Sequence, residues 1–386
     1  MRSLLQSHRF IVRFSLVFGF LAAFMLLGWG FQMEVGAQEI NPPETAEPAG
    51  GPVIADSRGV TGTWTIMYFP AIWQNYPPVS KLSVTRPNSS NAWTVSWNTV
   101  GPYVTNYELQ ESRSADFSSA STFNLGIASS RQFNPPLSPA NQYYYRVRPN
   151  GPWGAGIWSN IGLAIAGYYD EFDNPGTGWG VRRMSYLEKT YSYYADNTLV
   201  IMVDDRWDWL VASPMVQAPS LPYAIEYRSK IHHLANLTSH GVVFGGDWNG
   251  GPCPDLANVY ASSNCFNHFY ATNLIWYGPI KLLFERVDYL YWCPWCEGSQ
   301  LKRLTTDPAS WFIRDPVPNI DSNGWNTWRV EVRADGLRML ANGQLYATSA
   351  DTRWVNDPYF GLFATTDEYK PSIWFVDWFK VTPLDS

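Results

Sequence analysis

The chain has 386 residues and a mass of 43.8 kDa, enough for two ordinary domains with a leader and linkers. Only 16% of its residues are charged and 46% are hydrophobic, so much of the surface must consist of small polar, proline and aromatic residues. A net charge of −6 and a pI near 5.4 argue against nucleic acid as a partner, because binding it needs a basic face that neutralises phosphates.

Residues 1–37 have the pattern of an export signal. Three arginines precede an uncharged apolar run from Phe14 to Phe31, and Val35 and Ala37 are small residues suited to a cleavage site. The pattern favours a cleaved signal peptide over a retained signal anchor, and both place the rest of the chain outside the membrane. We therefore expect a secreted or extracytoplasmic surface protein, with a membrane as partner only if this segment stays uncleaved.

Residues 38–77 are predicted to be a tether. Residues 39–51 are rich in proline, glutamate and alanine and hold little apolar content, which is typical of a flexible linker. Residues 59–76 alternate enough to form one extra strand, although a single strand needs a partner.

Residues 78–166 contain short runs that alternate apolar and polar residues, as expected for a β-sandwich. The spacing Leu-x-Pro-x-x-x-Tyr-x-x-Arg-Val begins at Leu137 and includes Tyr143, and Trp97 lies on the apolar face of the second strand. In these features the segment resembles a fibronectin type III domain. The resemblance implies a spacer or adhesive module, with Tyr143 as a corner tyrosine whose hydroxyl bonds to nearby backbone.

Residues 167–386 give a second all-β pattern with no amphipathic helix of useful length. Asp335-Gly336 and Asn342-Gly343 predict two-residue hairpins between alternating runs. The opening Asp170-Glu-Phe-Asp with Gly178-Trp179, the run from Trp328 and the closing Phe-Val-Asp-Trp-Phe resemble the concanavalin A-like jelly roll, including its laminin-G-like branch. That family contains sugar-binding modules, adhesion domains and glycoside hydrolases, so the resemblance implies a fold more strongly than an activity.

Four cysteines fall in two long segments of this second pattern. If the strands at about 240–246, 266–276 and 280–288 are consecutive antiparallel neighbours, the segments after the first and the third leave the sheet at the same end. An exported chain with an even number of cysteines favours disulfides over a zinc site, and a thioredoxin-like role for Cys-Pro-Trp-Cys lacks the helix it needs. Pairing within each segment is the simplest of three connectivities that four cysteines allow, and the residues concerned are Cys253, Cys265, Cys293 and Cys296.

Aromatic and polar residues gather in the same two segments. Flat rings stack on the apolar faces of sugars, and nearby carboxylate and amide groups can bond their hydroxyls, so we predict a ligand site at this end of the sheet. The alternative is that these rings only fill or cover the sandwich, and the exposure of Trp292 and Trp295 decides between the two readings. The predicted ligand-binding residues are Trp248, Tyr260, Tyr289, Tyr291, Trp292, Trp295, Trp311, Asp247 and Asn249.

The sequence supports catalysis and metal binding less strongly than it supports ligand binding. The Glu-x-Asp-x-x-Glu motif of the laminarinase-like branch is absent, and Asp205 and Glu285 are the carboxylates that a hydrolase alternative would use. Calcium at Asp170, Glu171 or Asp173 is conceivable, but the spacing matches no dedicated calcium loop. We therefore expect no catalytic residue and no organic cofactor. The predicted function is non-catalytic binding of an extracellular polysaccharide or glycoconjugate, with a glycoside hydrolase and a purely structural surface protein as alternatives.

Overall fold

The computed structural model describes residues 80–179, 191–203, 209–233, 238–248, 266, 268–276, 280–288, 300–303, 319–366 and 371–386. Within these ranges the chain forms 22 strands and one short 3-10 turn at Pro175–Thr177. No helix in the described part is long and apolar enough to cross a membrane. The predicted fold class, all-β with two consecutive sandwiches, is confirmed.

The first sandwich packs a three-stranded sheet, β1-β2-β5, against a five-stranded sheet, β4-β3-β6-β7, in which β8 also pairs with β6. Alternate residues of β2 and β6 are buried, which matches the period of two in the sequence. Trp93 and Trp97 are both buried, and the indole nitrogen of Trp93 donates to the Tyr145 hydroxyl at 3.1 Å. The strands are β1 (Leu82–Val84), β2 (Trp93–Trp97), β3 (Asn106–Ser112), β4 (Ser121–Asn124), β5 (Ser130–Phe133), β6 (Gln142–Gly151), β7 (Gly154–Ala155) and β8 (Gly162–Ile165).

The structure corrects the expected partner of Tyr143. Its ring is buried, but its hydroxyl accepts a hydrogen bond from Nη2 of Arg113 at 2.7 Å instead of bonding directly to backbone. The guanidinium carbon of Arg113 lies 3.6 Å from the ring centroid, and Nη1 donates to the carbonyl of Ala140. A guanidinium has enough donors to serve both acceptors, so Arg113 connects the tyrosine to the backbone.

The second sandwich has the two large, facing antiparallel sheets of a jelly roll. One sheet has eight strands in the order β10-β11-β22-β13-β18-β19-β20, with β9 paired to β22, and the other has six in the order β12-β21-β14-β15-β16-β17. The strands are β9 (Tyr168–Asp170), β10 (Tyr191–Ala195), β11 (Thr198–Val203), β12 (Trp209–Ala212), β13 (Tyr223–His233), β14 (Thr238–Gly246), β15 (His268–Trp276), β16 (Ile280–Asp288), β17 (Gln300–Arg303), β18 (Asn326–Arg333), β19 (Gly336–Ala341), β20 (Gln344–Ser349), β21 (Tyr359–Thr366) and β22 (Ser372–Pro383).

Two hairpin turns test the predicted signals. Asn342 and Gly343 both have positive φ, +47° and +81°, and join Ala341 to its partner Gln344, as a type I′ turn requires. The other turn is displaced by one residue. Arg333 pairs with Gly336, so Ala334 and Asp335 form the turn, and Gly336 begins β19 with φ at +141°.

Side chains of the first sandwich are hydrogen-bonded to the second. Arg86 donates from Nε to the carbonyl of Ser220 at 3.0 Å and from Nη2 to the carbonyls of Pro222, at 2.6 Å, and Leu384. Asn141 donates to the carbonyl of Gln217 at 2.8 Å. The two sandwiches therefore share a polar junction in addition to the chain that joins them.

Candidate functional site

Two of the predicted ligand-binding residues, Asp247 and Trp248, lie in the described part of the chain. The other predicted ligand-binding residues and all four cysteines lie outside the described residues, namely Asn249, Tyr260, Tyr289, Tyr291, Trp292, Trp295, Trp311, Cys253, Cys265, Cys293 and Cys296. The end of β14 is thus where the predicted site can be built from the structure.

The strand arrangement that motivated the site is confirmed. β14, β15 and β16 are consecutive antiparallel neighbours in the six-stranded sheet. His268, the first residue of β15, pairs with Asp288, the last of β16, and the backbone nitrogen of Asp247 donates to the carbonyl of His268 at 3.1 Å. The chain therefore leaves β14 and β16 at the same end of the sheet, which we call the loop end.

The six-stranded sheet is apolar on both faces near this end. Phe244 and Tyr270 belong to the main core between the sheets, whereas Val243 and Phe269, their alternating neighbours, belong to a separate cluster. Because side chains alternate across a strand, this cluster lies on the face turned away from the core. We call it the outer cluster, and its buried members are Val243, Phe266, Phe269, Ala271 and Phe363, with Val211, Met215, Trp248 and Tyr359 partly buried against it.

Trp248 stands at the margin of the outer cluster. Its backbone forms a bridge with Phe266, and its ring meets Tyr359 at 5.5 Å between centroids and 74° between planes. The Tyr359 hydroxyl accepts a hydrogen bond from the Gln217 amide at 3.3 Å. The edge-to-face pair fixes the orientation of the indole while leaving it partly exposed. The indole of Trp248 thus packs against Tyr359 and the outer cluster and keeps part of its surface open for stacking.

Polar groups adjoin the same end. Nε2 of His268 lies 2.7 Å from a carboxylate oxygen of Asp357, and its ring stacks on Trp354 with centroids 4.2 Å apart. The Tyr270 hydroxyl donates to Asp351 and accepts from the Trp354 backbone nitrogen at 3.1 Å. His268 and Asp357 keep side-chain exposures of 23% and 35%, but His268 alternates with Phe269 and stacks on the core residue Trp354, so this pair lies on the face of the sheet opposite the outer cluster.

The carboxylates considered for chemistry are placed as follows. Asp205 lies outside the described residues, and Glu285 pairs in register with Ala271 and Arg303 within the sheet. Asp170 is buried and accepts hydrogen bonds from Trp179, Tyr168 and the backbone of Phe172, whereas exposed Glu171 accepts one from Tyr169. Among the described residues, no group of three or more His, Cys, Asp or Glu is placed to hold a metal ion.

Sequence reasoning missed the contribution of β21 and the segment before it. Trp354, Asp357 and Tyr359 lie about a hundred residues after Trp248 in the chain, yet they contact the loop end because β21 pairs with β14. The run Tyr-Phe-Gly-Leu-Phe-Ala is apolar at almost every position, a pattern typical of a strand buried on both faces. This apolar run predicts that both faces of β21 are covered, but it does not predict that β21 pairs with β14.

No family model and no curated protein matches the sequence. Similar solved structures include an endo-β-1,3-glucanase from Pyrococcus furiosus, 14% identical with a TM-score of 0.37, covering 57% of this chain and 94% of that one. A carbohydrate-binding module from Bacillus subtilis is 11% identical with a TM-score of 0.32, covering 52% and 96%. A Fn3-like protein from Clostridium thermocellum is 18% identical with a TM-score of 0.21, covering 23% and 92%. Similarity at this level does not indicate what this chain binds.

Proposed function

We propose that this is an exported, non-catalytic protein that binds carbohydrate at the loop end of its second sandwich. The first sandwich serves as a fibronectin type III-like spacer, and the cysteines after β14 and β16 form disulfides that hold the binding segments. The ligand is an extracellular polysaccharide or glycoconjugate.

One observation carries the proposal, the partly exposed indole of Trp248 supported by Tyr359 and the outer cluster. An apolar ring set at the edge of a sheet gives the apolar face of a sugar a surface for stacking. The His268–Asp357 pair lies at the same end of the sheet but on its other face, so the stacking surface itself rests on Trp248, Tyr359 and the outer cluster.

The spacer assignment draws on the strand order of the first sandwich. Its sheets, β1-β2-β5 and β4-β3-β6 with β8, divide the strands between two layers as in immunoglobulin-like sandwiches. The polar junction at Arg86 and Asn141 supports a spacer that holds the second sandwich in a defined position.

Replacing Trp248 with alanine should weaken polysaccharide binding at least tenfold, equivalent to about 1.4 kcal/mol, because the stacking surface is removed. Trp248→Tyr should retain most of the affinity, since a flat ring remains. Affinity electrophoresis through gels containing β-1,3-glucan, β-1,4-glucan or mucin glycans, followed by calorimetry on the strongest, measures both.

Trp153→Ala is the matched control. Trp153 is 37% exposed on the first sandwich, far from the loop end in sequence, and its loss should leave affinity unchanged. Equal binding by the wild-type chain and Trp248→Ala would refute the site. Release of reducing sugar from a bound glycan would refute the non-catalytic assignment, and Glu285→Gln and Asp205→Asn would then identify the acid.

A further inference from the structure

The outer face of the eight-stranded sheet carries a second set of rings, unrelated to the loop end. Tyr193 on β10 pairs in register with Val200 on β11, Val200 pairs with Phe375 on β22, and Phe375 pairs with Lys230 on β13. Nζ of Lys230 lies 4.7 Å from the centroid of Trp325, the residue before β18. We call these five residues the aromatic row. It crosses four inter-strand steps, a length of about 19 Å.

The aromatic row faces away from the sandwich core. The neighbours of Val200 in sequence, Leu199 and Ile201, are core residues, whereas Val200 is not part of that cluster. Val200 is nevertheless only 1% exposed, since the half-buried rings of Tyr193 and Phe375 lie on either side of it in register. Tyr191 lies 5.5 Å from Tyr193 between ring centroids and widens the surface. The aromatic row and Tyr191 together form a continuous, largely apolar surface on the outer face of the sheet, which we call the strip.

Several charged side chains on this face are paired with one another. On the side of β18, Arg329 pairs with Glu226 and Glu331, and Arg333 pairs with Glu331, all at 2.9 to 3.1 Å. Arg228, next to the strip, is paired with Asp377 at 2.7 Å. In these ion pairs, positive and negative side chains of the same face neutralise one another.

Lys230 lies in the aromatic row itself and contacts rings. Its ammonium lies 4.7 Å from the Trp325 ring and 5.4 Å from the Phe375 ring, and no carboxylate among the described residues pairs with it. Rings hold a cation by their negative faces but do not neutralise it. His232 packs edge-on against Phe375 at 5.6 Å and adds a second nitrogen-bearing side chain at this point. The strip therefore combines flat apolar surface with one ammonium, at the fourth of its five positions, that no described carboxylate pairs with.

We propose that the aromatic row binds an acidic polysaccharide, with sugar rings stacked along Tyr193, Phe375 and Trp325 and a sugar carboxylate paired with Lys230. The ligand class follows from the chemistry of the strip. An extended polymer of rings suits a surface several strands long, and a uronate supplies both an apolar ring face and the anion that the ammonium lacks. This surface is separate from the loop end, which lies on the other sheet.

The test uses the whole chain and polygalacturonate, with its fully methyl-esterified form as the matched neutral probe. We expect the wild-type chain to bind polygalacturonate and to bind the ester at least tenfold more weakly. Lys230→Gln should reduce binding to polygalacturonate at least tenfold while Lys230→Arg restores it, and Phe375→Ala or Trp325→Ala should weaken both probes. Arg338→Gln, an exposed cation on the same face, is the control and should bind as wild type.

Thermal unfolding of each variant shows whether the sandwich remains folded. Equal affinity of Lys230→Gln and wild type for polygalacturonate would overturn the proposal, as would equal binding of the acid and ester forms. Loss of polygalacturonate binding in Trp248→Ala but not in Trp325→Ala would also overturn it, because the acidic chain would then occupy the loop end. Concentration-dependent self-association abolished by Trp325→Ala would identify the strip as an interface between copies instead.

Discussion

Replacing Asp170 with asparagine should lower the free energy of unfolding by about 3 kcal/mol. The two buried carboxylate oxygens accept hydrogen bonds from three donors, and asparagine replaces one of these oxygens with an NH₂ group. The side chain is 2% exposed. One carboxylate oxygen accepts from the Trp179 indole at 2.9 Å and the Tyr168 hydroxyl at 2.9 Å, and the other accepts from the Phe172 backbone nitrogen at 2.8 Å. Asparagine places an NH₂ group where one of these acceptors stands, leaving at least one buried donor without a partner.

The surrounding rings explain why solvent cannot compensate. Trp179 packs against Phe172 and Phe379 at 5.4 and 4.7 Å between centroids, and its indole nitrogen also lies 2.8 Å from the Tyr168 hydroxyl. Burial, and after it the charge of Asp170, raise the pKa of Tyr168, so this hydroxyl stays protonated and donates to the carboxylate. Asp170 thus joins β9 to the segment that contains Trp179.

Urea unfolding followed by tryptophan fluorescence measures the effect. Glu171→Gln is the control, because Glu171 is exposed and its substitution should change the free energy of unfolding by less than about 0.5 kcal/mol. A change that small for Asp170→Asn would contradict the structural role assigned here. If Asp170 instead held calcium, a chelator would lower the Tm of the wild-type chain and leave that of Asp170→Asn unchanged.

The fold was predictable to the extent that periodicity determines it. Alternation in β2, β6 and β18 predicted strands with one buried face, and the structure buries those residues. Asn342-Gly343 predicted its turn because few other residue pairs adopt positive φ at both positions. The turn predicted at Asp335-Gly336 lies one residue earlier in the chain, because a glycine can also occupy the first position of a strand, here with φ at +141°.

The site was predictable only where strand neighbours follow each other in the sequence. Placing β14 beside β15 and β16 needed only hairpin connections, and this part was correct. The contacts of Trp248 with Tyr359 and of His268 with Asp357 depend on β21 pairing with β14 across more than a hundred residues. The aromatic row draws on five segments in non-sequential order, and residue spacing carries no information about such an order.

Burial of His240 should make the stability of the second sandwich depend on pH between 7 and 5. The side chain is 5% exposed, and Nε2 lies 3.2 Å from the Ser229 hydroxyl, which accepts a hydrogen bond from the Trp328 indole at 3.0 Å. The imidazole lies 3.3 Å from the Trp374 ring between centroids, so water has no room to solvate a charge. Desolvation by burial lowers the pKa of His240 to about 3, and a hydrogen bond with its own backbone acts in the opposite direction.

The sign follows from proton binding. Below the ordinary histidine pKa of about 6.5, the unfolded chain binds a proton at residue 240 and the folded chain does not. The free energy of unfolding therefore falls as pH decreases from about 6.5 towards about 3. Between pH 7 and pH 5 the loss from this one group should be about 2 kcal/mol. His240→Gln cannot titrate, so its free energy of unfolding should change less over the same interval, even if it is lower at pH 7. Urea unfolding of both proteins at half-unit pH steps measures the difference, and parallel curves for wild type and His240→Gln would show that residue 240 gains its proton without unfolding the sandwich.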